Sequence, residues 1–211
     1  MRTMKGKIAA LLVAGAAAVT LAPSASAAPL PNFSVGLQLS DGGCRTEFGT
    51  PGFTRFANFG GTSATPWVSD TTRFDPDCAR IFLNPAFGGG LLRGDIDFRI
   101  GGRARDNNGR ELGAIVYTPW ASDGGGNTEG MITDSNSFDP DEYQLFLETR
   151  PLPPGAGFTD FRFMIFARDA GEGDGEAKFT PWASQNGGPS PYAPDRNLFD
   201  PDGYVIGLEV V

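Results

Sequence analysis

Phe138-Asp139-Pro140-Asp141 spells FDPD, and the same string stands at residues 74–77 and 199–202. A four-residue string with proline between two aspartates, used three times, points to a chain built from repeats. Working outward, another aspartate stands five residues before the first Asp of each copy, at Asp70, Asp134 and Asp195, so the shared string is D-x-x-x-F-D-P-D. Upstream of each copy lies T-P-W-x-S, at 65–69, 118–122 and 180–184. Further upstream, Asn32-Phe33, Asp97-Phe98 and Asp160-Phe161 open stretches that close on Asp41, Asp106 and Asp169. Three ordered blocks recurring three times divide the chain into units at about 31–87, 88–154 and 155–211.

Each block reads as a strand. Phe161, Phe163, Ile165 and Ala167 alternate with Arg162, Met164, Phe166 and Arg168, and the apolar sets Phe98, Ile100, Gly102, Ala104 and Phe33, Val35, Leu37, Leu39 repeat the pattern. Period two with one apolar face describes a half-buried strand. After each FDPD the period returns, in Ala79, Ile81, Leu83, then Tyr143, Leu145, Leu147, then Tyr204, Ile206, Leu208. Turn-rich segments follow the opening strands, and T-P-W is expected at a strand end or edge, since proline donates nothing to a sheet ladder. The first unit carries a longer insert over 42–64. The composition of 30 Gly, 17 Pro and 17 Phe suits many short strands joined by tight turns.

The expected fold is therefore all-β, with three homologous short-strand units around a pseudo-threefold axis. A β-prism-like arrangement is favoured, with a β-trefoil or a β-sandwich as alternatives. The tripled organisation resembles that of β-prism and β-trefoil lectins, at the level of architecture. The resemblance implies carbohydrate recognition and assigns no residue a role.

The first 27 residues have the plan of a secretory signal peptide: Arg2, Lys5 and Lys7, an Ala-rich apolar run, and an A-x-A ending before Ala28. The expected product is a secreted, single-domain protein of residues 28–211. It keeps fourteen basic residues against 25 acidic ones, a net charge of −11. Such a balance argues against nucleic acid and anionic lipid as partners. No apolar run is long enough to predict a membrane span. The two cysteines, Cys44 and Cys78, are expected to pair in an oxidising compartment, tying the insert to the head of the last strand of the first unit.

Two readings of D-x-x-x-F-D-P-D compete. As a turn, proline presets φ and the aspartates accept hydrogen bonds from the backbone just ahead. As a calcium loop, the triplets Asp70, Asp75, Asp77, then Asp134, Asp139, Asp141, then Asp195, Asp200, Asp202 supply hard oxygen ligands. Trp67, Trp120 and Trp182 divide the same way, between core anchors and exposed platforms on which sugar rings stack. On the second view Trp120, Ser122, Asp123, Asn127 and Asp134 form one site, and Trp182, Ser184, Gln185, Asn186 and Asp195 another. In the first unit the polar loop after T-P-W-x-S shrinks to 70–73, which predicts an altered site there. Arg99, Arg103, Arg105, Arg162 and Arg168 are expected on the outward face, paired with nearby Asp.

With no histidine in the chain, the commonest general base and the usual nucleophile triads are missing. A carboxylate pair could still cleave glycosides, but a motif used three times suits a binding array better. The leading expectation is a secreted, non-catalytic, lectin-like binding protein. A structural or protein-binding module is the alternative, and a glycoside hydrolase the third reading.

Overall fold

The computed structural model describes residues 33–41, 44–46, 48–57, 61–66, 68, 76–85, 97–106, 112–133, 135, 140–150, 160–169, 173–193 and 201–211. The chain is all-β, with short 3-10 turns and no α-helix among the described residues. Among them, no helix is long and apolar enough to cross a membrane.

Three long hairpins carry the fold. In the first, β1 (Phe33–Ser40) pairs antiparallel with β4 (Cys78–Pro85). In the second, β5 (Phe98–Arg105) pairs with β8 (Glu142–Thr149). In the third, β9 (Phe161–Asp169) pairs with β13 (Gly203–Val210). The alternation read from the sequence sets their faces. Phe33, Val35, Leu37 and Leu39 are buried, as are Phe98, Ile100 and Ala104, and Phe161, Phe163, Ile165 and Ala167, with the matching residues of β4, β8 and β13. These side chains make one continuous core. Phe33, Phe98 and Phe161, one from each hairpin, form a triangle with ring centroids 4.6, 4.7 and 5.2 Å apart.

Short outer strands widen each hairpin into a sheet. On the opening strands lie β2 (Gly52–Phe53), β6 (Val116–Tyr117), and, on β9, both β10 (Gly173–Asp174) and β11 (Lys178–Phe179). On the closing strands lie segments borrowed from another unit. β7 (Gly126–Asn127) pairs with β4, β12 (Gly187–Pro189) with β8, and β3 (Gly61–Ala64) with β13. The second unit thus lends a strand to the first, the third to the second, and the first to the third. The result is two four-stranded sheets and one five-stranded sheet, joined in a closed cycle.

The outer strands correct one expectation. The sequence aligns Thr65-Pro66-Trp67 with Thr118-Pro119-Trp120 and Thr180-Pro181-Trp182. The hydrogen bonds do not. Thr118 N–H donates to the Ile100 carbonyl (2.9 Å), while Ile100 N–H donates to Thr118 Oγ1 (3.3 Å). Thr180 makes the same reciprocal pair with Phe163, at 2.9 and 3.0 Å. In the first unit the residue that does this to the opening strand is Thr54, against Val35 at 2.9 and 3.1 Å. Thr65 instead clamps a closing strand, pairing with Ile206 at 2.9 and 3.2 Å, and its counterpart is Ser190, which pairs with Leu145 at 2.9 and 3.1 Å. The sixth position is Thr128, whose N–H donates to the Ile81 carbonyl (2.8 Å).

Each unit is therefore two copies of a smaller device: a long strand, a short outer strand, and a buried Thr or Ser whose N–H continues the pairing, its hydroxyl accepting in return at five of the six positions. The 42–64 segment is not an insert. It holds β2, Thr54 and β3, the parts that 107–127 and 170–189 hold in the other units. Residues 70–73, expected as the shortened polar loop of the first unit, lie outside the described residues.

Cys44 and Cys78 form a disulfide, with Cα atoms 5.5 Å apart. It ties the turn after β1 to the first residue of β4, where Glu142 and Gly203 stand in the other hairpins.

Candidate functional site

The candidate surface lies where each opening strand begins. After β6 and β11 the chain runs through Thr-Pro-Trp into a 3-10 turn, Ala121–Asp123 in one case and Ala183–Gln185 in the other. The turn is closed by Asp123 N–H and Gly125 N–H on the Trp120 carbonyl, and by Gln185 N–H and Gly187 N–H on the Trp182 carbonyl. Its alanine packs into the core in both, which fixes the tryptophan just outside it. Three consecutive residues then take positive φ: Gly124, Gly125 and Gly126 in one loop, Asn186, Gly187 and Gly188 in the other. That backbone explains the glycines and selects Asn186, because Asn tolerates the left-handed region. A Cβ on Gly187 would stand 2.3 Å from the Leu147 carbonyl oxygen. The loops expected to rim a site are thus also the means by which β7 and β12 reach the next sheet.

The serines of T-P-W-x-S are engaged at home. Ser122 donates from N–H and Oγ to the Asp97 carboxylate, at 3.1 and 2.9 Å. Ser184 does the same to Asp160, its N–H bond measuring 2.9 Å. Each aspartate immediately precedes its opening strand, so the pair pins the 3-10 turn to the strand's start. Sequence reasoning placed Asp97 and Asp160 in the repeat without seeing this partnership. The partners lie 25 and 24 residues apart, and no local pattern links them.

Trp120 and Trp182 are both half-buried. Guanidinium groups lie over their rings. Arg99 stands 4.8 Å from the Trp120 ring and 4.1 Å from Tyr117, while Arg150 stands 3.8 Å from Trp120. In the third sheet Arg162 stands 4.5 Å from Trp182 and 4.2 Å from Phe179. Arg99, Arg105 and Arg162 pair with glutamate across the hairpin rather than with aspartate. Arg99 meets Glu148 at 2.7 Å, Arg105 meets Glu142 at 2.5 Å, and Arg162 meets Glu209 at 2.6 Å. The register dictates this, because Arg99 lies directly opposite Glu148 and Arg162 opposite Glu209. Arg103 hydrogen-bonds Gln144 at 3.1 Å. Arg168 faces solvent. Arg150 also meets Asp97 at 3.1 Å. Burial, with Glu148 nearby, raises the Tyr117 hydroxyl above its ordinary value near 10.

Asp123, Gln185 and Asn186 are exposed in the turns that follow the two tryptophans, and Asn127 is exposed in β7, on the edge of the first sheet. Asp134, Asp195 and Trp67 lie outside the described residues. So do Asp70, Asp75, Asp139 and Asp200 of the candidate calcium sets. Asp77 is buried, and Asp141 and Asp202 are half-buried. Among the described residues no group of three acidic, His or Cys side chains is placed to hold a metal ion. Backbone carbonyls of two FDPD segments accept hydrogen bonds from tyrosines of the following unit. Tyr143 Oη donates to the Pro76 carbonyl (3.4 Å) and Tyr204 Oη to the Asp141 carbonyl (3.0 Å).

In the first sheet the equivalent of Trp120 is Phe56 and that of Arg99 is Ser34. These two replacements set this face apart. No protein-family model, curated protein or solved structure matches the chain.

Proposed function

We propose that this protein is a secreted, non-catalytic binding module that recognises neutral carbohydrate on the tryptophan-bearing surface of its second and third sheets. One observation carries the reading: each half-buried indole is followed in the chain by exposed amide or carboxylate side chains, Asp123 and Asn127 after Trp120, Gln185 and Asn186 after Trp182. Sugar rings present C–H faces to aromatic rings and hydroxyls to such side chains. The local charges favour a neutral ligand. Arg99 is balanced by Glu148, Arg150 by Asp97, and Arg162 by Glu209.

The same proposal takes the three sheets as faces of a prism-like body about a pseudo-threefold axis. The Phe33–Phe98–Phe161 triangle and the cyclic exchange of outer strands support it.

A second reading is a secreted structural or protein-binding module whose repeats serve only the fold. The engagement of Ser122 and Ser184 by aspartates favours it. A glycan array probed with the protein of residues 28–211, with and without calcium, separates the two. Selective retention of neutral glycans supports the first reading. A blank array returns the protein to the second.

A further inference from the structure

We infer that the two tryptophan platforms are unequal: the saccharide stacks on Trp182, while Arg150 closes the counterpart at Trp120. This rests on the carbohydrate reading above. Backbone hydrogen bonds make the two places comparable. Arg150 N–H donates to the Asp97 carbonyl (2.9 Å), and Val211 N–H donates to the Asp160 carbonyl (3.0 Å). Arg150 and Val211 therefore occupy the same position, one residue beyond β8 and β13. From there the Arg150 guanidinium lies 3.8 Å from the Trp120 ring, held by the Asp97 carboxylate at 3.1 Å. Asp97 is itself fixed by Ser122.

Trp120 thus carries two guanidinium groups, those of Arg99 and Arg150. Among the described residues Trp182 carries one, that of Arg162. The Val211 side chain cannot replace the second, having no cation to place over the ring, and the residue is 71% exposed. A guanidinium stacked on an indole and anchored by a carboxylate costs a ligand both contacts if it is displaced. At Trp182 no such displacement is needed. The neighbouring charges, Arg162 against Glu209 and Asp160, disfavour an anionic sugar and leave a neutral one. Gln185 and Asn186 are exposed in the turn that follows Trp182, where their side chains are available to a sugar's hydroxyls.

Two measurements on the protein of residues 28–211 test this. The first uses variants that keep a single tryptophan, the others replaced by phenylalanine, and acrylamide as the quencher. Trp182 fluorescence should quench strongly and Trp120 weakly, with Trp120 becoming quenchable after Arg150→Ala. Equal quenching of the two overturns the inference whether or not any glycan binds. The second is calorimetric titration with linear gluco-, manno- and xylo-oligosaccharides. One site per chain is expected. Trp182→Ala should weaken binding at least about tenfold, and Arg150→Ala should raise the stoichiometry towards two. Undiminished binding by Trp182→Ala overturns the assignment. Absence of binding by the unaltered protein overturns the carbohydrate reading instead, and the assignment with it, while quenching still reports which indole is closed.

Discussion

Replacing the buried hydroxyls one at a time by isosteric apolar groups tests the architecture where sequence and structure disagree. In a strand the N–H and C=O of one residue point to the same side. Phe163 C=O accepts from Thr180 N–H, so Phe163 N–H faces the same way and has Thr180 Oγ1 as its acceptor. Val35, Ile100 and Ile206 stand in the same relation to Thr54, Thr118 and Thr65. Thr→Val keeps the volume, so no cavity forms. What is lost is the partner of a buried N–H, which costs about 1–3 kcal/mol. For a domain of this size each kcal/mol moves Tm by about 2–4 °C. Thr54→Val, Thr65→Val, Thr118→Val and Thr180→Val should each lower Tm accordingly, read by circular dichroism and by urea midpoints. Thr128 is the internal control. Among the described residues its Oγ1 is buried without a hydrogen-bond partner, so Thr128→Val should be neutral within about 0.5 kcal/mol or stabilising. Thr54 decides the matter, because no T-P-W motif marks it. A silent Thr54→Val beside a costly Thr65→Val would refute the pairing described here.

Further outcomes follow from single contacts. Removing the disulfide with Cys44→Ser and Cys78→Ser should cost about 4 kcal/mol on a chain-entropy argument, measured by denaturant unfolding, and intact mass of the unaltered protein should show no free thiol. If FDPD serves as a turn, Tm should be the same with calcium and with chelator; a rise in calcium would revive the aspartate ligand sets, because a ligand bound only to the native state stabilises it. Gly187→Ala should destabilise more than Gly61→Ala, since both have positive φ but only the former meets a carbonyl oxygen, and the comparison is read from urea midpoints. Tyr117 should ionise above 10 in a spectrophotometric titration, and Glu148→Gln should bring it down. Because its folded value is raised, the stability linked to Tyr117 is fully present below the unfolded value near 10 and is lost as pH rises through the folded one.

Much of this fold was legible because period two survives in every long strand. Phe161, Phe163, Ile165 and Ala167 mark the inner face unaided, and Cys44 and Cys78 had no other partners. The register of the first unit was not legible from T-P-W. Thr54-Arg55-Phe56-Ala57 does the structural work of Thr118-Pro119-Trp120-Ala121 without its proline or tryptophan, while Thr65-Pro66-Trp67 imitates the motif at the other clamp. The informative pattern was a hydroxyl followed three residues later by a small apolar residue, as in Thr54/Ala57, Thr65/Val68, Thr118/Ala121, Thr180/Ala183 and Ser190/Ala193. All ten residues are buried. The exchange of β3, β7 and β12 between units has no local signature, since any of these short segments could pair with several edges. Among candidate site residues, exposure of Gln185 or Asn127 was readable from polarity. The capture of Ser122 and Ser184 by aspartates more than twenty residues away was not.

Hydroxyls and carboxylates of the repeats hold the fold, and Trp182 is the residue proposed to face the ligand. Unfolding midpoints and neutral-glycan binding measured together on Trp182→Ala test this most directly. The account predicts that binding is lost while stability falls by only about 1 kcal/mol, the scale of one guanidinium stack on a half-buried ring. A stability loss of about 3–5 kcal/mol, with binding reduced only in proportion to the unfolded fraction, would make Trp182 a core residue and contradict it.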